Sequence, residues 1–339
     1  MPNTTYPLGK LPADHLAGLL NAYQANDPRL ILGGQVGEDA AIIDMGDRYL
    51  AAKSDPITFA TDKIGWYAVN VNANDIACMG ATPKWFLATI LLPEEKTTPD
   101  LAKTLFEQIA NACQQLDITL AGGHTEITYG LDRPIVVGHM LGEVAKDRLV
   151  LTGGARPGDD LLLTKSIAIE ATAIIAAERR DLLQETIPPA ELDRLANFLH
   201  NPGISVLPEA RLAVETGGVH AMHDPTEGGI VTGLWEMAQA AHVGLEIFAD
   251  DLPINPDCQM LCQRFGLNPL GIIASGSLLI AVSAETTQSL CDSLRRNNIR
   301  ATVIGRVREA AFGVQLVGAQ GNRPLPTFER DEIARLFEG

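Results

Sequence analysis

Apolar positions along the chain switch between two periods, and the switching predicts strands and helices in alternation. Residues 64–79 carry Val69, Ala73, Ile76 and Ala77 at i, i+4, i+7 and i+8, which is one face of a helix. Gly80 suits the C-terminal end of that helix, and Pro83 follows shortly after. Thr98-Pro99-Asp100 combines a capping hydroxyl, a first-turn proline and an early acid, and Leu101, Leu105, Ile109, Cys113 and Leu116 continue one helical face from it. Residues 40–44 and 48–53 read as two short strands around a Met-Gly-Asp turn, a hairpin. Residues 86–92, 118–121 and 134–144 are further strands, the second of them running into Gly122-Gly123.

Gly153, Gly154, Pro157, Gly158 and Asp159 make the densest group of turn residues, close to the midpoint of the chain. A domain boundary is expected there, giving domains 1–152 and 153–339. The second half repeats the alternation: a strand at 160–164, helices at 167–180, 206–216 and 226–241, then a strand at 245–248. Helices at 257–265 and 285–297 flank a strand at 272–282, and strands at 301–307 and 313–317 come last. The fold class is α/β (α+β), in two domains.

With 46% hydrophobic and 20% charged residues, the chain can bury a sizeable core. It has no apolar run of membrane-spanning length and no basic-then-apolar leader at its start, so the expected compartment is the cytoplasm. A formal net charge of −16 repels phosphate backbones and anionic lipids, which argues against nucleic acid and membranes as partners. A phosphate-bearing substrate stays compatible with that charge if a divalent cation bridges it to carboxylates. Five cysteines, an odd number, argue against a disulfide framework. Cys258 and Cys262 stand four apart on an expected helix without a second ligand pair, and read as buried thiols.

Five clusters carry residues suited to chemistry. Gly37-Glu38-Asp39 enters a strand, with carboxylates at the edge of a tight turn; Mg²⁺ takes such oxygens, although a solvated turn has the same composition. Asp55 lies sixteen residues after Asp39, and pairing of the two strands would bring both acids to one end of a sheet. Asn70, Asn72, Asn74 and Asp75 interrupt a helix that is otherwise apolar. Leaving such groups buried and unpaired would cost roughly 1–3 kcal/mol each, so Asp75 as a metal ligand with asparagines orienting it is one answer. Gly122-Gly123-His124-Thr125-Glu126 reads as a turn whose backbone N–H groups cradle phosphate oxygens, with a hydroxyl, an acid and an imidazole beside them. His223-Asp224-Pro225-Thr226-Glu227-Gly228-Gly229 opens a helix, so its acids either cap that helix or contact substrate or metal.

Taken in order, these segments resemble the family that includes aminoimidazole ribonucleotide synthetase, thiamine-phosphate kinase, selenophosphate synthetase and the HypE-type hydrogenase maturation protein, with the HypE-like branch nearest. The resemblance runs from Gly9-Lys10-Leu11 to about Val317. It implies a two-domain AIR-synthase-like fold: an N-terminal domain whose sheet pairs with that of a second subunit in a homodimer, and a C-terminal α/β domain. It implies ATP and Mg²⁺, with Asp39, Asp55, Asp75 and Glu126 as metal ligands and Gly37, Asn74, Gly122, Gly123 and Thr125 at the nucleotide. Lys10, His124 and Asp224 take the catalytic roles, Lys10 as an arm over the phosphates and Asp224 as a further contact to metal or substrate. The implied activity is phosphoryl transfer that activates an amide, carbonyl or phosphate oxygen, as in HypE-like maturation and dehydration. Small-molecule kinase or ligase activity, or a non-catalytic nucleotide-binding role, are the alternatives. Expected partners are a small-molecule or carbamoyl-type substrate and a maturation partner protein. Two positions depart from the pattern. His124 stands where several relatives have Asp. The sequence also ends in Leu336-Phe337-Glu338-Gly339, where HypE-type proteins end in the cysteine that is modified. An external substrate is therefore expected.

Overall fold

The computed structural model describes Tyr6 and residues 11–23, 26–57 and 62–337. They divide into two units: an N-terminal one of residues 26–34 and 39–149, and a C-terminal one of residues 35–38 and 150 onward, which also takes the first helix, α1 (Ala13–Ala22). The N-terminal unit is built on a six-stranded sheet of β1 (Leu30–Leu32), β2 (Ala41–Asp44), β3 (Arg48–Ile57), β4 (Thr82–Pro93), β5 (Thr119–Thr128) and β6 (Ile135–Ala145). The spatial order is β1-β2-β3-β6-β4-β5. The expected hairpin is present, with Ala41 opposite Ala52.

Two helices cover one face of this sheet. α2 (Ile64–Cys78) packs on β3, β6 and β4, and α3 (Pro99–Gln115) packs on α2. With a sheet on one side and a helix on the other, α2 is buried almost all round instead of along a single stripe. α3 keeps one apolar face and starts where the sequence places it, the Thr98 hydroxyl accepting the Leu101 N–H at 3.1 Å. The approach of α2 to the sheet depends on Gly138: a Cβ there would stand 2.3 Å from the Asn72 amide and 2.8 Å from the Phe86 ring. Residues that alternate with Gly138 on β6, such as Val137, His139 and Leu141, therefore face away from the helices and are half-buried.

In the C-terminal unit the strands are β7 (Asp160–Thr164), β8 (Val219–His223), β9 (Gly244–Phe248), β10 (Leu279–Val282), β11 (Ala301–Arg308), β12 (Val314–Val317) and β13 (Arg323–Pro324). They form one seven-stranded sheet in the order β13-β12-β9-β11-β7-β10-β8, antiparallel except where β12 meets β9. The helices are α4 (Ile169–Glu178), α5 (Arg180–Leu183), α6 (Pro189–Ala196), α7 (Leu207–Thr216), α8 (Gly229–Ala241), α9 (Pro256–Phe265) and α10 (Thr287–Arg296). Only the last four residues of the strand expected at 272–282 join the sheet. Upstream of them, the Ile273 N–H goes to the Asp331 carboxylate at 3.2 Å and the Ala274 N–H to the Thr226 carbonyl at 3.1 Å, so this buried segment is held by loops and not by a ladder. All five cysteines are free, with Cys258 and Cys262 buried as expected. Among the described residues no helix is long and apolar enough to cross a membrane.

Candidate functional site

Two of the predicted acids of the N-terminal unit lie on elements that pack together, Asp55 on β3 and Asp75 on α2. Asp55 lies opposite Gly138 and Lys53 opposite Met140, so both share the sheet face that α2 covers. From the helix, Asp75 meets Lys53 with Nζ to Oδ2 at 3.2 Å. Asp75 is 4% exposed and Asn74 fully buried. Asn72, also fully buried, donates from Nδ2 to the Ala68 carbonyl at 2.8 Å and to the Asp55 carbonyl at 3.3 Å, which ties the helix to the strand at Asp55. Its Oδ1 has no hydrogen-bond partner among the described residues. Asp39, 7% exposed, brings a carboxylate oxygen within 4.8 Å of the Cys78 sulfur, about one turn beyond Asp75 on α2. The β2–β3 register carries Asp39 and Asp55 toward the same end of the hairpin. Sequence reasoning gave no role to Lys53, which opens the Asp55 segment, or to Cys78. Period-2 counting back from Asp55 could have found the lysine, whereas nothing local marks the thiol.

The run Gly122 to Glu126 is not a turn. It lies inside β5, extended beside β4, with a register irregularity at Leu87. Gly122 and Gly123 both have φ of +146°, and a Cβ on Gly123 would stand 2.0 Å from the Ala88 carbonyl oxygen. The glycines serve the close approach of two strands at this irregularity. Alternation along β5 then separates the predicted residues. Gly123 and Thr125 lie opposite Ala88 and Ile90, on the helix-covered side, while His124 and Glu126 lie opposite Thr89 and Leu91, on the other. His124 Nε2 is 3.3 Å from Glu126 Oε2, and the Thr128 hydroxyl donates to Glu126 Oε1 at 2.9 Å. The Thr128 bond first, and His124 second, hold the Glu126 carboxyl below the usual carboxylate range. Within this unit the sheet thus divides Glu126 from Asp55 and Asp75, and His124 pairs with Glu126.

Of the remaining predicted residues, Gly37 and Asp224 belong to the C-terminal unit, and Lys10 lies outside the described residues. Glu38, beside Gly37, accepts the Thr152 and Gly153 N–H groups at 3.1 and 2.9 Å, which anchors that turn. Asp224 follows β8 directly and is 2% exposed. His223 before it is held by Glu236 of α8, Nε2 to Oε2 at 2.9 Å. The helix begins only at Gly229, so residues 224–228 form an irregular loop that places Asp224 and Glu227 ahead of the helix rather than as its cap.

The family model described as AIR synthase related protein, N-terminal domain, matches residues 37–144, and the corresponding C-terminal domain model matches residues 156–316. A Methanocaldococcus jannaschii protein named for hydrogenase expression and formation is 27% identical over 308 residues, 88% of each chain. Carbamoyl dehydratase HypE of Cupriavidus necator is 30% identical over 258 residues, covering 75% of this chain and 70% of the relative. Among solved structures, the hydrogenase maturation protein HypE in complex with ATP superposes with a TM-score of 0.71 at 23% identity, covering 98% of both chains.

Proposed function

Given that the chain belongs to the AIR synthase related family, we propose that it is a Mg²⁺–ATP-dependent enzyme that activates an amide, carbonyl or phosphate oxygen by phosphoryl transfer. The nearest chemistry is that named for its carbamoyl dehydratase relative, and one solved structure of the same fold is a complex with ATP. The observation that carries the reading is Asp75, an acid 4% exposed on an apolar, enclosed helix and paired with Lys53, which shares a face of β3 with Asp55. In donor chemistry the set fits Mg²⁺, since Asp39, Asp55 and Asp75 offer hard oxygens and the buried Asn72 Oδ1 has no hydrogen-bond partner among the described residues. These three carboxylates would hold the ion; Cys78, a soft ligand, would not.

When bound, Mg²⁺–ATP supplies the phosphoryl group and neutralises the charge that builds on it in transfer. The chain's own part is positioning. Lys53 keeps the Asp75 carboxylate oriented, Asn72 fixes β3 at Asp55, and Gly123 and Thr125 present an N–H and a hydroxyl to phosphate. Asp224 contacts substrate. The substrate comes from another molecule, a small carbamoyl-type compound or a maturation partner protein, because four of the five cysteines are buried and Cys291 sits half-buried on α10. A homodimer fits the open face and edge of the N-terminal sheet, and a cytoplasmic setting fits a reaction that consumes ATP.

Calorimetric titration of ATP with and without MgCl₂ tests the site on the wild type, Asp39→Asn and Asp75→Asn. The Mg²⁺-dependent part of the affinity should fall by roughly tenfold or more in each variant, as for loss of a metal-site partner, with circular dichroism unchanged. Undiminished Mg²⁺-dependent binding in both variants would place the nucleotide elsewhere. ADP release that requires a carbamoylated or primary-amide substrate would then fix the reaction class.

A further inference from the structure

The first turn of α4 carries an acid that the reading above leaves unused. Glu170 is 5% exposed, and its Oε2 has no hydrogen-bond partner among the described residues. A buried polar atom left this way costs about 1–3 kcal/mol, and an ionised one more. Burial pushes the carboxyl up to about 7, although the Ser275 hydroxyl beside it favours the charged form. The turn that delivers it is costly too. Lys165 and Ala168, neither of them glycine, have φ of 54° and 59°, at about 1–2 kcal/mol per residue. Strain of this kind persists where the position of a side chain matters.

Three more acids act on Glu170, and they arrive on separate segments. Asp224 and Glu227 come from the loop before α8, and Asp331 from the approach to the last turn of the chain. Asp331 binds these segments into one body, accepting the N–H groups of Gly228 at 2.7 Å, Ile273 at 3.2 Å and Ile333 at 2.8 Å. Glu170 and Asp224 are buried, while Glu227 and Asp331 are half-exposed. The nearest base in the chain, Lys165, is committed to Glu209 at 2.7 Å and to the carbonyls of Gly203 and Ser205 at 3.2 and 2.6 Å. Arg330, next to Asp331, is exposed and has an interaction of its own. An anion would be repelled here. Among the described residues Glu170 itself joins no group of three His, Cys, Asp or Glu ligand atoms within 4.8 Å of one another.

We propose that Glu170 anchors a subsite of the C-terminal unit for a small organic cation, an amine or amidine whose N–H bonds to the open Oε2 while Asp224, Glu227 and Asp331 share its charge. The subsite is read from this unit alone and does not rest on the nucleotide reading.

Calorimetry on the full chain, without nucleotide or divalent metal, uses methylammonium, agmatine and spermidine chlorides as probes. At least one should bind the wild type and release protons at neutral pH as Glu170 ionises, seen as heats that differ between phosphate and Tris buffers. Glu170→Gln should weaken that binding by about tenfold or more, near 1.4 kcal/mol, and abolish the proton release. Glu227→Gln should weaken it less, and Glu285→Gln, at an exposed site elsewhere, should change neither quantity. Thermal melts that match the wild type establish that Glu170→Gln folds; if it does not, the Glu227→Gln result decides. Failure of all three probes to bind the wild type, or equal binding and proton release in the Glu170, Glu227 and Glu285 variants, overturns the proposal.

Discussion

Lys53 determines what Asp75 is in the protein without metal. The Asp75 side chain is 6% exposed and that of Lys53 22%, so the 3.2 Å pair lies largely out of water. Removing one partner of such a pair strands the other charge, typically at about 3–5 kcal/mol; partial exposure of the lysine lowers this case to just below that range. Lys53→Met should therefore destabilise the protein by about 2–3 kcal/mol in urea melts without metal. A divalent ion held by Asp75 would take over the neutralising role. Millimolar MgCl₂ should return part of the loss in Lys53→Met, and none of it in Lys53→Met combined with Asp75→Asn. If MgCl₂ leaves the single variant as unstable as before, Asp75 is a structural ion-pair partner and not a metal ligand.

β5 sets the sharpest contrast between two adjacent residues of the same type. Gly122 and Gly123 share a φ of +146°, but only Gly123 faces a neighbour that a Cβ would strike, the Ala88 carbonyl at 2.0 Å; nothing lies within 4 Å of a Cβ on Gly122. Gly122→Ala should cost about 1–3 kcal/mol from backbone strain alone. Gly123→Ala should add an overpacking cost of about 1–3 kcal/mol to the same strain. Urea melts that rank the two the other way would mean that the β4–β5 approach is looser than described. The pair also marks what could be read in advance. Helix α2, the α3 cap at Thr98 and the β2–β3 hairpin follow from local period and turn chemistry. A Gly-Gly pair after a strand has the composition of a turn, and only the β4 backbone opposite shows why it stays extended. That error carried over to the site: residues in a turn can converge, whereas strand alternation sends His124 and Glu126 to one face and Gly123 and Thr125 to the other. Glu170 was invisible for a related reason, since its acidic neighbours are more than 50 residues away in sequence.

At the scale of the whole molecule, the sheet of the N-terminal unit is unfinished. One face carries α2 and α3. The other presents Trp85, 37% exposed, together with the half-buried Leu87, Leu91, Val137 and Leu141. Among the described residues the β5 edge has no neighbouring strand, and Leu120 and Ile127 along it are 38% and 62% exposed. A net charge of −16 keeps such a chain soluble but does not cover an apolar sheet. A second copy of the same chain is the natural cover, because self-pairing satisfies open edges and apolar faces of both partners at once. Sedimentation of the wild type should then give twice the 36.3 kDa of one chain. Leu87→Glu combined with Leu91→Glu puts two like charges on each copy at positions whose side chains point away from the helices, so dimerisation should be lost while circular dichroism is kept. A wild type that sediments at the mass of a single chain removes the homodimer. A double variant that still dimerises moves the interface off this face.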